Sequence, residues 1–199
     1  MNFDEAGFNS LASRRPFYLL KLMKRYKYKN IIYSDIDTIW LKDPRPFLKG
    51  NYDFWAQLDG LIDGIPYFEG FIPYICTGFL ALRSTKKTLK ILRLWQQATE
   101  IINKRSRLNQ KDFQRIVFEQ SANFGVLPLR YFPNGRTYFE QMSEWLKKDV
   151  VFIHNNFIIG KAKKIQRFRQ FDIWAQDFRQ GEYILLFYAP QFPKPLKFI

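Results

Sequence analysis

Two carboxylates stand two residues apart in Tyr33-Ser34-Asp35-Ile36-Asp37-Thr38, directly after the apolar pair Ile31-Ile32. At the exit of a strand this spacing lets both point at one spot. Hard cations such as Mg²⁺ or Mn²⁺ take oxygen ligands of this kind and often complete their shell with phosphate. One Asp could then bind a metal while the other holds a ligand hydroxyl. The plainer alternative is a polar turn after a strand, and the following Trp40-Leu41-Lys42-Asp43-Pro44 tips the balance toward function. A second group is His154-Asn155-Asn156, with Gly160 six residues after the histidine and Lys161, Lys163 and Lys164 close behind. An imidazole, an Asp and phosphate oxygens make a consistent Mn²⁺ shell. The glycine lets backbone approach a ligand, and a lysine ammonium is a point charge suited to phosphate. Its alternative is a core histidine ahead of a basic surface helix. Two weaker signals are Thr77-Gly78 after Cys76, and Asn109-Gln110. The first reads as backbone held close to a substrate or, better supported on its own, as a bulge or a tight packing contact. The second suits a simple helix N-cap.

These groups need elements to carry them. The apolar spacing predicts a helix over 11–25 with Pro16 near its first turn, a strand over 30–34 ending at Asp35, and strands over 52–58 and 74–82. The stretch 59–73 is rich in Gly and Pro and reads as a loop. Helices follow over 86–103, with Leu89, Leu92, Trp95, Ala98 and Ile102 on one stripe, and over 109–120. A strand over 126–132 runs into a Pro133-Asn134-Gly135 turn, a last strand over 150–153 delivers His154, and a basic helix spans 165–178. Strands alternating with helices predict an α/β sheet, whose ligands collect at the carboxyl ends of strands. Asp35, Asp37 and His154 are all placed there.

Composition removes whole classes of function. One Cys and one His exclude a disulfide scaffold and a Cys-rich or multi-His zinc site. A hydrophobic content of 47% excludes intrinsic disorder. The length fits one domain, with a core near 8–170 and an aromatic, basic tail over 171–199. The net charge of +14 reads as a solvated surface or as attraction to polyanions. No nucleic-acid motif accompanies the basic run Arg14 to Lys29. The polar N-terminus with Asp4 and Glu5 is unlike a signal peptide, and no apolar run approaches the ~20 residues that span a bilayer.

Taken in order, the motifs resemble the nucleotide-diphospho-sugar transferase family, the GT-A-fold retaining glycosyltransferases, and within it the UDP-xylose xylosyltransferase-like branch. The resemblance rests on Asp35/Asp37 with Trp40-Leu41-Lys42-Asp43-Pro44, on Thr77-Gly78-Phe79, and on Gln110 with Phe113. It rests also on Phe132-Pro133-Asn134-Gly135 and on His154/Asn156/Gly160/Lys164. It implies a mixed, mostly parallel GT-A-like sheet flanked by helices. It also implies that the first strand–helix–strand unit of the fold, which precedes the position of Phe8, is missing.

The resemblance implies a donor such as UDP-xylose, a glycan or protein-linked sugar acceptor, and no specific nucleic acid. It implies Mn²⁺ or Mg²⁺ held by Asp37 and His154, with Asp35 on the donor's ribose or sugar and within reach of the metal. Thr77, Gly78, Asn156 and Gly160 would line the donor, and Lys164 with Lys161 would take phosphate charge. The family's D-Q reads Asn109-Gln110 here, so Asn109, Gln110 and Asp112 are the candidate catalytic residues, Asp112 as the nearest carboxylate. Full-length members imply a Golgi setting and a membrane anchor, neither of which this stretch contains. Two alternatives stand beside this reading. One is an inactive pseudo-transferase or binding fragment. The other is a phosphatase of the haloacid-dehalogenase type, with Asp35 as nucleophile and Asp37 as acid/base. That family expects Thr or Val where Ile39 stands.

Overall fold

The structure is a computed structural model that describes residues 12–59, 74–102 and 109–174, the side chains at 101, 102 and 109 excepted. The chain divides into two compact units, residues 1–164 and 165–199. In the first, helix α1 (Arg15–Arg25) carries Pro16 in its first turn, where no intrahelical donor is missed. Strands β1 (Asn30–Ser34) and β2 (Thr38–Trp40) follow. Pro44 and Pro46 then confine the chain to a 3₁₀ turn at Arg45–Phe47. Next come β3 (Phe54–Leu58) and β4 (Ile75–Arg83), then α2 (Lys86–Ile102) and α3 (Asn109–Glu119). The unit continues with β5 (Phe124–Leu127), a π-type turn at Thr137–Gln141, α4 (Glu144–Lys147) and β6 (Phe152–His154). Helix α5 runs over Lys161–Gln170. In the second unit, the rings of Phe168 and Trp174 stack at 6.0 Å.

The main sheet has the order β1-β4-β3-β5, and β2 and β6 form a separate two-stranded ribbon. Alternation along β3 and β4 splits the core. Phe54, Ala56, Leu80 and Leu82 face α1, α2 and α3, against Leu19, Met23, Ile91, Leu92, Trp95, Phe113 and Val117. Trp55, Phe79 and Ala81 face the other way, onto Leu127, Phe132, Val151 and Phe152. Along α2 the fully buried residues are Thr88, Ile91, Leu92, Trp95 and Thr99, a stripe turned slightly from the one expected.

The α/β class and the mixed sheet flanked by helices match expectation. The balance of directions differs. Among the described pairings β1–β4, β3–β4 and β2–β6 are antiparallel, and β3–β5 alone is parallel. The connection from β4 to β5 carries two helices, so β5 returns antiparallel to β4 and therefore parallel to β3. An even number of helices brings the chain back antiparallel to the strand it left.

Three boundaries also move. The strand expected over 126–132 ends at Leu127, because Pro128 has no N–H for the ladder and its carbonyl instead accepts from Tyr131 and Phe132. The last strand starts at Phe152 rather than at 150 and includes His154. The basic helix starts at Lys161 and ends at Gln170, bounded by Gly160 at φ +97° and Asp172 at φ +51°. The short helical turns between 137 and 147 had no clear apolar period to announce them. Most of the loop 59–73 lies outside the described residues, as do the tail beyond 174 and the segment around Phe8. No helix among the described residues is long and apolar enough to cross a membrane.

Trp95 is fully buried and meets Phe113 at 4.6 Å between ring centroids. Trp95→Ala should therefore cost about 3–5 kcal/mol, read as a lower denaturant midpoint with little change of slope.

Candidate functional site

The ribbon of β2 and β6 joins the two motifs. Its register sets Thr38 opposite His154 and Trp40 opposite Phe152. The turn between β1 and β2 is closed by the Thr38 hydroxyl, which donates to the Asp35 carbonyl at 2.7 Å. Asp35 is tied to β4 through its own N–H, which donates to the Gly78 carbonyl at 2.9 Å. The Asn155 N–H donates to the Asp37 carbonyl at 2.9 Å. Trp40 anchors the arrangement, its ring 5.5 Å from Phe79 and 5.1 Å from Phe152. As a result His154 Nε2 lies 3.5 Å from Asp37 Oδ1 and 4.0 Å from Asp35 Oδ2. One ligand atom from each of the three residues falls within 4.8 Å of the others.

The imidazole occupies a fitted cradle. A Cβ at Gly78 would run into the ring, 2.7 Å from Nδ1 and 2.9 Å from Nε2 and closer still to Cε1. Gly78 is thus the space that the histidine fills, the tight packing contact weighed for Thr77-Gly78. Gln57, fully buried on β3, fixes the tautomer. Its Nε2 donates to the carbonyls of Phe132 and Pro133, both at 2.9 Å, so its Oε1 is the atom 3.3 Å from His154 Nδ1. Nδ1 must then carry a proton, and Nε2 is the nitrogen that faces the carboxylates. That is the orientation a metal-binding imidazole takes. The buried Cys76 sulfur also lies 3.3 Å from Nδ1.

Each carboxylate uses one oxygen on a cation and leaves the other for Nε2. Arg15 of α1 donates to Asp35 Oδ1 at 2.8 Å and to Thr77 Oγ1 and O at 2.6 and 3.0 Å, its guanidinium 4.9 Å above the Tyr33 ring. The Tyr33 hydroxyl donates to the same Asp35 oxygen at 2.5 Å. Burial pushes Tyr33 well up against the opposing pull of Arg15, so it remains a donor. Lys164 pairs with Asp37 Oδ2. Burial alone would raise Asp37, but its bonds to His154 and Lys164 hold it well below the usual carboxylate range. Burial opposes charge on His154, while the Cys76 sulfur and the Asp37 carboxylate raise it well above its ordinary value. Burial pushes the Cys76 thiol up, so it stays neutral and Asp37 is the partner that matters. Three donors within 4.8 Å of one another, the imidazole 3.5 and 4.0 Å from the two carboxylates, suit a divalent ion whose bonds are about 2.1 Å long.

A second polar chain adjoins the first. The Thr77 N–H and hydroxyl both donate to Gln110 Oε1 at 3.2 Å. Gln110 Nε2 donates to Asp59 Oδ2 at 3.2 Å, and Asn156 Nδ2 to Asp59 Oδ1 at 3.0 Å. Asn156 Oδ1 accepts from the Gly135 N–H at 2.8 Å, and a Cβ at Gly135 would collide with the Asn156 carbonyl. The structure therefore brings together Asp35, Asp37, Thr77, Gly78, Gln110, His154, Asn156 and Lys164. Gly160 holds a left-handed φ that starts α5, and Lys161 is exposed on its first turn. Asn109 opens α3. Asp112 pairs with Arg115 at 3.5 Å, and two helical residues on from Gln110 it falls on another face.

Arg15, Gln57 and Asp59 escaped the sequence reading. Gln57 left one signal, a polar residue inside the apolar strand 54–58. Arg15 left none, because its partners lie 20 and 62 residues away.

His154 is the single histidine, so its ring resonances are unambiguous. In the metal-free protein it should titrate above 6.5, and Asp37→Asn should bring the midpoint down. With the folded value raised, the stability it contributes is full below about pH 6.5 and is lost as pH climbs through the folded midpoint. An NMR titration paired with pH-dependent denaturation checks both.

The family model described as nucleotide-diphospho-sugar transferase matches residues 1–168. An Arabidopsis thaliana protein named UDP-D-xylose:L-fucose alpha-1,3-D-xylosyltransferase 3 is 33% identical over 193 residues, covering 88% of this chain and 50% of its own length. A Dictyostelium discoideum protein named UDP-galactose:fucoside alpha-3-galactosyltransferase is 26% identical over 191 residues, covering 87% of this chain and 29% of its own. The chain spans about half the length of the xylosyltransferases that it matches. Among solved structures, a glycosyltransferase involved in glycosylation of the major capsid of PBCV-1 superimposes with a TM-score of 0.58 at 15% identity, over 81% of this chain and 77% of that one. That likeness gives the fold as GT-A. With the motifs now joined in one place and the family model matched over most of its length, the chain belongs to the nucleotide-diphospho-sugar transferase family.

Proposed function

We propose that this chain forms the metal and donor end of a retaining glycosyltransferase that moves a sugar from a UDP-sugar, xylose in our reading, to a sugar acceptor such as a fucoside. The observation that carries it is the convergence of Asp35 Oδ2, Asp37 Oδ1 and His154 Nε2 on one point. Xylose and fucose come from the names of the Arabidopsis relatives, and both those and the Dictyostelium name specify an alpha product. The family resemblance supports retention and, as the place of work, the Golgi lumen.

Asp35, Asp37 and His154 would hold the ion, Mn²⁺ or Mg²⁺. When bound, such an ion supplies Lewis-acid neutralisation of the departing diphosphate, worth several kcal/mol. Lys164, on the far oxygen of Asp37, holds a positive charge beside the same point and would take charge from the leaving group. Lys161 adds a second ammonium on the exposed first turn of the same helix. Arg15 and Tyr33 fix the Asp35 carboxylate and prevent it from swinging out of the donor set. Gln57 keeps the imidazole lone pair aimed inward. Thr77 and Gln110, linked to that frame through Arg15, lie where the sugar of a bound donor would rest, beside Asn156. Gln110, rather than Asp112, is the α3 residue that our reading places at the reacting sugar. With Asp35 already engaged by an arginine and a tyrosine, it is ill suited to be the free nucleophile of a phosphatase.

Calorimetry of UDP with and without Mn²⁺ tests the reading. UDP should bind in a metal-dependent way, and Asp37→Ala or His154→Ala should weaken that binding about 10- to 100-fold. Equal affinity in the wild type and both variants, with unchanged circular dichroism, would remove the site assignment.

A further inference from the structure

The excess positive charge is not spread evenly along the chain. Residues 14–29 carry seven Lys or Arg and residues 83–93 carry five, and neither segment holds an acid. The rest of the chain is nearly balanced, with 20 basic residues against 18 acidic ones. The two segments contain α1 and the first half of α2, which pack side by side on the same face of the sheet.

Helical spacing turns these cations outward. On α1 the buried residues are Pro16, Leu19, Leu20 and Met23, so Arg14, Lys21 and Arg25 line the opposite side. On α2 the burial of Thr88, Ile91, Leu92 and Trp95 puts Lys86, Lys90 and Arg93 on the opposite side. Arg15 turns inward instead, to Asp35. Among the described residues none of the six outward cations pairs with a carboxylate. Lys86 and Lys87 also stand where the helix dipole is itself positive, with no acid in the first turn. Helix α3 marks the border of this face, since there Asp112 and Glu119 pair with Arg115.

Aromatic rings stand among the cations. Phe17 and Tyr18 on α1 are 45% and 49% exposed, and Tyr26 just beyond it is 53% exposed. Lys21 lies 6.0 Å over the Phe17 ring and Arg25 lies 5.8 Å over the Tyr26 ring. Lys27 at φ +56° turns the chain, and the Tyr26 and Tyr28 rings stack at 6.2 Å. Beside them Lys27, Lys29 and Arg83 line an open groove of about 560 Å³ between the end of α1 and the start of α2.

Cations alone would suit any polyanion. Exposed rings interleaved with them across two adjacent helices suit the head-group layer of a bilayer, where amphipathic rings settle and basic side chains meet phosphate. We propose that the outer face of α1 and the first half of α2 docks on the surface of an anionic phospholipid membrane, with Lys27, Lys29 and Arg83 receiving head-group phosphate. The proposal stands independently of the nucleotide-sugar reading.

Vesicle sedimentation of the whole chain tests it. The probes are phosphatidylcholine vesicles with and without phosphatidylserine, and heparin as a polyanion without a bilayer. Wild type should bind the phosphatidylserine vesicles and leave them in about 0.5 M salt, where the screening length is a few ångströms. Each cation at such a surface contributes about fivefold, so Lys21→Gln, Arg25→Gln, Lys86→Gln and Lys90→Gln together should weaken vesicle binding about 100-fold or more. Lys42→Gln, Lys49→Gln, Arg136→Gln and Lys148→Gln together remove the same charge from outside the two helices and should cost less than about fivefold. Phe17→Ala with Tyr18→Ala should weaken vesicle binding about 10-fold and heparin binding less than about twofold, with unchanged circular dichroism. Absent binding, or equal binding to vesicles with and without phosphatidylserine, overturns the proposal. So does a loss in the second set of four as large as in the first, which would leave net charge as the sole cause. So does an aromatic pair that matters to neither ligand or to both alike, which would make this face a site for soluble polyanions.

Discussion

The site depends on the burial of one imidazole against one glycine. His154 comes from a three-residue strand near the end of the first unit, and Gly78 from the middle of the longest strand. Their contact sets how closely β6 approaches β4, and β6 in turn carries β2 and Asp37 through the register of Thr38 and His154. Gln57 then holds Nδ1 and leaves Nε2 facing the carboxylates. Neighbouring parts adjust to this contact. β4 shifts register against β3 at Ala56 and Gln57, where it passes the ring. The Phe132 and Pro133 carbonyls hold the Gln57 amide, and the Asn134 backbone bridges to His154 itself.

Charge is arranged around that contact with little excess. Asp35 and Asp37 each spend one oxygen on a basic side chain from a helix, Arg15 from α1 and Lys164 from α5. The helices therefore tune how strongly the carboxylates repel one another and keep them from spreading apart. Pairs as buried as Arg15 with Asp35 contribute more to orientation than to net stability, because the desolvation of both ions offsets most of their attraction. By contrast, Arg45 with Asp43 and Arg130 with Asp149 are exposed and contribute little beyond solubility.

Much of this was legible in the residues. The bounds of β1 follow from an apolar run that stops at Asp35, and those of α2 from one clear helical stripe. The two chemical motifs stand out because acids, an imidazole and lysines cluster at strand exits. What was hidden depends on distance along the chain. Strands of three residues such as β2 and β6 have too few positions to show a period, and their pairing joins residues more than a hundred apart. The antiparallel run of β1, β4 and β3 depends on which strands become neighbours, which periodicity along the chain does not show. Arg15 and Asp59 look like ordinary charged residues until folding sets them beside Thr77 and Gln110. Gly78 looked like a break in a strand because the ring that explains it lies 76 positions later.

That last pair has a consequence for how the protein can change. A side chain at 78 and an imidazole at 154 claim the same volume, so one excludes the other. Drift at either position alone meets a steric wall, and a viable path would have to alter both together. Two sites far apart in the gene therefore behave as a single inherited character, even though only one of them has any chemistry to offer.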